Sequence, residues 1–290
     1  MKKLMIGLAA ALMLSSCEYV QVEDLTELEE SAGQKTVTFR LSSDEWLFDK
    51  APVTRGSMTA DDAEMTDLWI FDYVDGEMVQ SLKYSPEDDD WGEPSVTLKL
   101  GTHHIYFVAS RGDQPTVDED ESTIVWGTPK DTFWASLTLN VTNGGATSQS
   151  VTLNRVATKI RLQINDLVPE GVATLNITPD TWYFGLNYVT GEATDAEKRE
   201  RSVTVPSAYV GTTGRLVASF FGISDATEWT TDIAVTAKDG DGNVLGSATI
   251  IDAPFLRNRI SSFSGNLFNG EGSVDVTLDG DWSADYTATW

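Results

Sequence analysis

From Thr36 onward, apolar side chains recur mainly at every second position. Val37, Phe39 and Leu41 alternate with Thr36, Thr38 and Arg40, and Ile160, Leu162 and Ile164 alternate with Lys159, Arg161 and Gln163. Val274, Val276 and Leu278 alternate with Asp275 and Thr277. A period of two puts the apolar groups on one face of a half-buried strand. The same pattern predicts strands at Leu68–Tyr73, Glu77–Lys83, Ser95–Leu100, His104–Ser110, Leu137–Val141, Val172–Ile177, Arg201–Val205, Gly214–Phe221, Ile233–Lys238 and Asn243–Ile251. Asp75-Gly76, Asn143-Gly144-Gly145, Thr190-Gly191 and the run 239–243 supply the turns between them. No long window carries a helical period; Gly191–Arg201 reads as one or two helical turns or as a loop. The expected fold is all-β, built as two tandem antiparallel β-sandwich domains. The polar run Thr142–Ser150 divides the chain into sandwiches at 36–148 and 149–290, each opening with a long alternating strand.

Length and charge narrow the function. The 290 residues are 41% hydrophobic, enough to bury a core and to exclude wholesale disorder. With 45 acidic against 20 basic side chains, net charge is −25, which argues against nucleic acid and against direct attraction to anionic lipid. One cysteine excludes an internal disulfide framework, and two histidines leave little material for a metal centre or a catalytic triad. No cofactor and no enzymatic activity are expected.

The N-terminus carries a secretory pattern: Lys2-Lys3, an apolar run from Met5 to Leu14, then Leu14-Ser15-Ser16-Cys17. About ten apolar residues are too few to cross a hydrocarbon core as a helix. The closing tetrapeptide resembles a bacterial lipobox, which implies cleavage after residue 16 and acylation of Cys17, the one thiol in the chain. Acyl chains on that thiol would anchor the protein in the outer membrane, surface-exposed. Residues 17–35 are acidic, with one basic residue, Lys35, at the end. They read either as a solvated tether or as an address, since they resemble the surface-export signals of Bacteroidetes lipoproteins.

Several short patterns invite chemical readings. Asp239-Gly-Asp-Gly-Asn243 begins like a calcium loop, but Val244 and Ile250 stand where that loop needs Gly and Glu, so a hairpin turn is the better reading. Asp88-Asp89-Asp90, with Glu87 and Glu93, reads as a solvated acidic loop or a weak cation site. His103 and His104 are consecutive on a strand and should face opposite sides. Arg111-Gly112-Asp113 matches an adhesion tripeptide and equally a turn. The nine tryptophans suit a sugar-stacking platform if two or three share an exposed face, and otherwise serve as core anchors. A surface glycan-binding lipoprotein is therefore the alternative function. A hydrolase would need a cleft of convergent carboxylates, and no spacing singles out a pair.

Three stretches together resemble the fimbrillin superfamily of Bacteroidetes, which comprises lipoprotein-derived fimbrial subunits and their anchors. The first is Cys17, the tether and Thr36–Leu41, followed by Thr54-Arg55-Gly56 and the run from Thr66 to Gly76. The second is Leu153-Asn154-Arg155-Val156-Ala157-Thr158-Lys159-Ile160. The third is Ala253-Pro254-Phe255-Leu256-Arg257-Asn258-Arg259 with Ser264-Gly265-Asn266-Leu267-Phe268. The resemblance implies two transthyretin-like sandwiches and a fimbrial structural or anchor role. It also implies a trypsin-like cut after Arg55, removal of the strand holding Val37, Phe39 and Leu41, and filling of the vacated groove by another subunit's strand. An anchor subunit would instead keep its lipid and its strand, with Arg55 an ordinary loop residue. The donor strand is implied to be C-terminal, with Ser273–Leu278 and Tyr286–Trp290 both open. Partners are thus other fimbrial subunits and the membrane; a host or bacterial ligand is left unassigned.

Overall fold

The computed structural model describes residues 33–43, 65–111, 114–269 and 274–279, with only the backbone course of the last segment. The first half runs β1 (Gln34–Ser42), β2 (Asp67–Val74), β3 (Glu77–Tyr84), β4 (Ser95–Lys99), β5 (Gly101–Ser110), β6 (Thr116–Asp118), β7 (Thr123–Val125), β8 (Thr132–Val141), β9 (Ser148–Thr152) and β10 (Asn154–Arg155). The second runs β11 (Ala157–Ile164), β12 (Val172–Pro179), β13 (Trp182–Asn187), β14 (Ala193–Glu197), β15 (Arg201–Thr204), β16 (Leu216–Ile223), β17 (Trp229–Asp239), β18 (Val244–Phe255), β19 (Ile260–Gly265) and β20 (Val274–Asp279). A 3-10 turn at Ser207–Tyr209 is the one helical element among the described residues.

The strands form two sandwiches. A three-stranded sheet, β4-β1-β9, lies against the five-stranded β10-β8-β5-β2-β3. Val37, Phe39, Val96, Leu98 and Val151 from the first meet Leu68, Ile70, Ile105, Phe107 and Phe133 from the second. In the other sandwich, β20-β19-β11-β16-β13-β7-β6, with β14 beside β13, faces β15-β12-β17-β18. Its core includes Ile160, Leu162, Trp182, Phe263, Leu175, Ile177, Ile233, Val235 and Phe255. The fold is all-β as the alternation implies, and pairing is antiparallel except at β1/β9 and β11/β19, which are parallel. Those exceptions are equivalent: β1 and β11 each have one antiparallel neighbour, β4 or β16, and one parallel neighbour. The shared opening strand of the two halves is thus a shared topology.

Chain and space divide differently. The boundary drawn at 148/149 falls at the start of β9, yet β9 pairs with β1 and sends Val151 into the first core. β6 and β7, from the first half, extend the second sandwich's sheet through β7 against β13. A third apolar cluster joins the halves: Trp69, Phe71 and Val108 meet Ile124, Trp126, Val156, Leu186, Tyr188 and Ile223. Phe71 and Tyr188 stack at 3.8 Å and 8°. This explains the unbroken apolar run of β2, where Leu68, Trp69, Ile70 and Phe71 are all buried because both faces are covered.

Gly191–Arg201 contains neither helix nor plain loop: Ala193–Glu197 becomes β14 on the edge of β13. Its charged side chains point into solvent, so pairing with β13, not side-chain periodicity, decides its form. Gly222 on β16 shows how tight the second core is. A Cβ there would lie 2.5–2.6 Å from the ring of buried Trp182, whose Nε1 donates to the Phe221 carbonyl at 3.1 Å. Gly222→Ala is expected to cost about 2–3 kcal/mol by overpacking, whereas Gly240→Ala, in open space, should stay within about 0.5 kcal/mol of the parent. Denaturant unfolding of both variants checks this, and equal midpoints would contradict the packing described.

Candidate functional site

β1 is held on both edges. Its antiparallel register with β4 runs from Gln34 opposite Lys99 to Thr38 opposite Ser95, and its parallel register with β9 from Thr38 beside Ser148 to Ser42 beside Thr152. Beyond the ends of β4 and β9 the ladder continues on loop carbonyls. The Phe39 amide donates to Pro94 O at 2.9 Å, the Leu41 amide to Gly92 O at 3.1 Å, and the Thr38 amide to Thr147 O at 2.9 Å. The Leu153 amide closes the far end by donating to Ser42 O at 2.7 Å. Hydroxyl pairs Thr36–Thr97 at 3.1 Å and Thr38–Ser95 at 2.9 Å line its exposed face. Lys35 Nζ donates to the carbonyls of Thr142 and Gly145 in the β8–β9 turn.

The inward face is apolar, as the alternation implies. Val37 and Phe39 are fully buried and Leu41 partly so. Phe39 packs edge-on against Phe107, ring centroids 5.2 Å apart at 65°. Three such side chains represent roughly 1.5–3 kcal/mol each when fully buried. The structure therefore brings Val37, Phe39 and Leu41 together on one seat, floored by Val96, Leu98, Phe107, Val151 and Leu153. Cys17 and Arg55 lie outside the described residues, as do the tether before Gly33, Gly112 and Asp113, and Tyr286–Trp290. Of the C-terminal candidates, residues 274–278 form most of β20, bonded on one side to β19 at the edge of the second sandwich.

Sequence reading missed two parts of this seat. The acidic 85–94 loop is one wall of it. Asp88 accepts the Ser85 amide at 2.6 Å and Asp90 the Ser95 amide at 3.0 Å, fixing the turn that presents Gly92 O and Pro94 O. His103 is the other. The two histidines do face opposite sides, with His104 exposed, but His103 is buried, its Nδ1 2.8 Å from Asp72 Oδ1 and its Nε2 2.8 Å from Lys99 O. Both contacts are to oxygen acceptors, so the ring bridges the Asp72 carboxylate and the Lys99 carbonyl. The imidazole thereby braces the end of β4, where Lys99 lies opposite Gln34. Only the alternation of β5, which turns His103 inward, hinted at this.

The remaining candidates take local roles. Asp239 accepts the Asn243 side-chain amide at 2.9 Å and the backbone amides of Asn243 at 2.8 Å and Asp241 at 2.9 Å, and those bonds, the Asn243 side chain's first, hold its carboxyl below the usual range; the run is the β17–β18 hairpin turn. None of the six described indoles is exposed: Trp69, Trp126 and Trp182 are buried, and Trp91, Trp134 and Trp229 are half-buried. Trp134 Nε1 donates to Tyr188 O at 2.8 Å and Trp229 Nε1 to Ser224 Oγ at 2.9 Å. They are core and junction anchors. The second and third stretches that carry the family resemblance meet at the junction. Arg155 holds the buried Asp131 carboxylate through Nε and Nη2 at 2.7 and 2.9 Å, and its Nη1 donates to Asn258 Oδ1 at 3.0 Å.

Residues 116–290 match the model of a family of unknown function, DUF6562. The chain belongs to that family. The matched region begins at β6, the first strand that joins the second sandwich's sheet. No curated protein matches the chain. Among solved structures, it is similar to a candidate adhesin from Bacteroides ovatus, with TM-score 0.54 and 13% identity over 82% of this chain and 88% of the other. It is similar also to a protein from Bacteroides thetaiotaomicron described as a candidate polysaccharide-binding protein (DUF1812), at 0.53 and 9% over 84% and 98%. The fimbrial anchor protein Mfa2 from Porphyromonas gingivalis matches at 0.50 and 11% over 85% and 98%. At these identities the shared property is the fold, a β-sandwich architecture spanning more than four fifths of each chain.

The brace under β4 gives a pH signature. Burial raises the Asp72 carboxyl above its ordinary value, and the hydrogen bond and charge of His103 pull it back. A raised carboxyl favours the fold below its ordinary value, and that contribution is lost as pH rises through the raised one. His103→Leu leaves the carboxylate buried without its partner and is expected to cost about 3–5 kcal/mol at neutral pH. The deficit should shrink as pH falls toward the carboxylate range, because a protonated Asp72 no longer needs a counter-charge. Urea unfolding of parent and variant at about pH 4.5 and about pH 8 checks the sign; a deficit independent of pH would contradict it.

Proposed function

We propose that this protein is a non-catalytic structural subunit of a surface fimbria, exported as a lipoprotein and assembled by strand complementation. Acylated Cys17 ties the chain to the outer membrane. Cleavage after Arg55 severs residues up to that point from the rest. β1 then departs, and a strand from a neighbouring subunit takes its seat. The position of β1 carries this reading: it is the middle strand of its sheet, yet its one covalent link to the body of the protein is the segment 44–64, which contains Arg55. Its departure exposes two facing strand edges and an apolar floor, and only another strand restores both. Each re-formed backbone bond is worth about 0.5–1.5 kcal/mol beyond the apolar burial.

The fold shared with a fimbrial anchor protein and a candidate adhesin supports the fimbrial class. The polysaccharide-binding description of the third relative is the counterpart of the glycan reading. The absence of an exposed indole among the described residues speaks against a stacking platform here. The donor would come from a strand at the edge of a sheet, and among the described residues β20 is of that kind.

Mild trypsin digestion of the full-length chain and of Arg55→Ala tests the proposal. The expected parent product begins at Gly56, has lost residues 34–42, and forms multimers that resist heating in detergent; Arg55→Ala should give no product beginning at Gly56, and Lys50→Ala with Arg55→Ala, which leaves no trypsin site in the segment 44–64, should give no multimers. A parent chain that is cut at Arg55 yet retains β1 and stays monomeric would overturn strand complementation and leave an anchor role.

A further inference from the structure

Beyond the seat, one cavity stands out by its charge. A cleft of about 340 Å³ opens between the sandwiches, and its lining includes Arg155, Arg257 and Arg259 with the amides of Asn154 and Asn258. No acidic side chain lines it among the described residues, in a chain with more than twice as many acidic as basic side chains. The three guanidiniums differ in what they already hold. Arg155 is committed to Asp131 and Asn258. Arg257 is half-buried and donates to neutral carbonyls, from Nε to Ser224 O at 3.1 Å and from Nη2 to Gly191 O. Burial holds its guanidinium below the ordinary value, with Asp225 opposing the shift. The Arg259 side chain meets no carboxylate among the described residues, while its carbonyl is fixed by the Lys159 amide at 3.0 Å and Thr158 Oγ1 at 3.1 Å. Two cations on rigid backbone thus face the cleft with no carboxylate lining it among the described residues, and Asp225 acts on Arg257 from outside that lining.

We infer that this cleft binds the carboxylates of an acidic peptide segment through Arg257 and Arg259, with Asn154 and Asn258 as neutral donors. The bidentate Asp131–Arg155 pair on the same wall shows the geometry at work: a planar guanidinium fork takes both oxygens of a carboxylate. The location favours a peptide. Leu153, whose amide holds Ser42 O at the end of β1, also lines the cleft together with Ser43. An extended chain in the seat therefore leads directly to it. That choice of arriving strand rests on the assembly reading; the affinity for carboxylates does not.

The probe is N-acetylated tetra-aspartate amide carrying a fluorophore, added to the uncut full-length chain, so no cleavage or polymerisation is needed. The expected result is saturable binding by anisotropy that weakens with salt, roughly tenfold weaker in Arg259→Gln, and absent for tetra-asparagine. Arg259→Gln should fold normally because the side chain has no structural partner among the described residues; Arg257→Gln, with the same circular dichroism as the parent, provides the second variant. No saturable binding, or unchanged affinity in both variants, overturns the inference and leaves the strand-complementation reading standing. Competition by inorganic phosphate at lower concentration than by the peptide would also overturn it, since the site would then select a phosphate.

Discussion

The first sandwich depends on a strand that belongs to it by contact far more than by connection. Phe39 against Phe107, with Val37 and Leu41 beside it, closes the core from one side. Backbone bonds to β4, β9 and the 85–94 loop close the sheet. Without β1, the three-stranded layer is two edges with nothing between them, and the five-stranded layer loses much of its cover. A bare apolar face and two open ladders are both unfavourable in water, so the seat is stable only when occupied. That constraint makes the identity of the occupant the variable on which function can turn.

The second sandwich repeats the same opening topology, with β11 between antiparallel β16 and parallel β19. There the strand is committed. Arg155 lies two residues before it, locked to Asp131 and Asn258, while Asn258 and Arg259 bond the backbone at Ala157 and Lys159. The residues that carry the family resemblance in the second and third stretches are therefore those that fasten the second opening strand and the junction. The two like strands differ in how they are tied in: β11 is fastened at the junction, whereas β1 joins the body of the protein through the segment 44–64.

Much of this was legible in the sequence because burial on one face writes itself as alternation. β1, β11, β12, β16, β17 and β18 all show it. Strands covered on both faces or paired at an edge do not: β2, with Leu68, Trp69, Ile70 and Phe71 all buried, reads as a continuous run, and β14 reads as charged loop because only its backbone is engaged. The seat was half legible. Val37, Phe39 and Leu41 follow from their spacing, but their floor comes from β4, β5 and β9, and no local pattern pairs β1 in parallel with residues more than a hundred positions away. His103 and Asp72 were invisible as a pair for the same reason. The cleft at Arg257 and Arg259 was present only as a motif, and the lack of acid in its lining among the described residues is a property of three dimensions.

The central claim is that β1 is a replaceable occupant of its seat. The most direct measurement is native mass spectrometry of the chain cut after Arg55, freed of its own first strand and offered a synthetic peptide of residues 34–42. The expected result is a one-to-one complex with that peptide and none with its Phe39→Asp version, whose charge would be buried beside Phe107. A cut chain that ignores the parent peptide, or that accepts both peptides equally, would contradict the account.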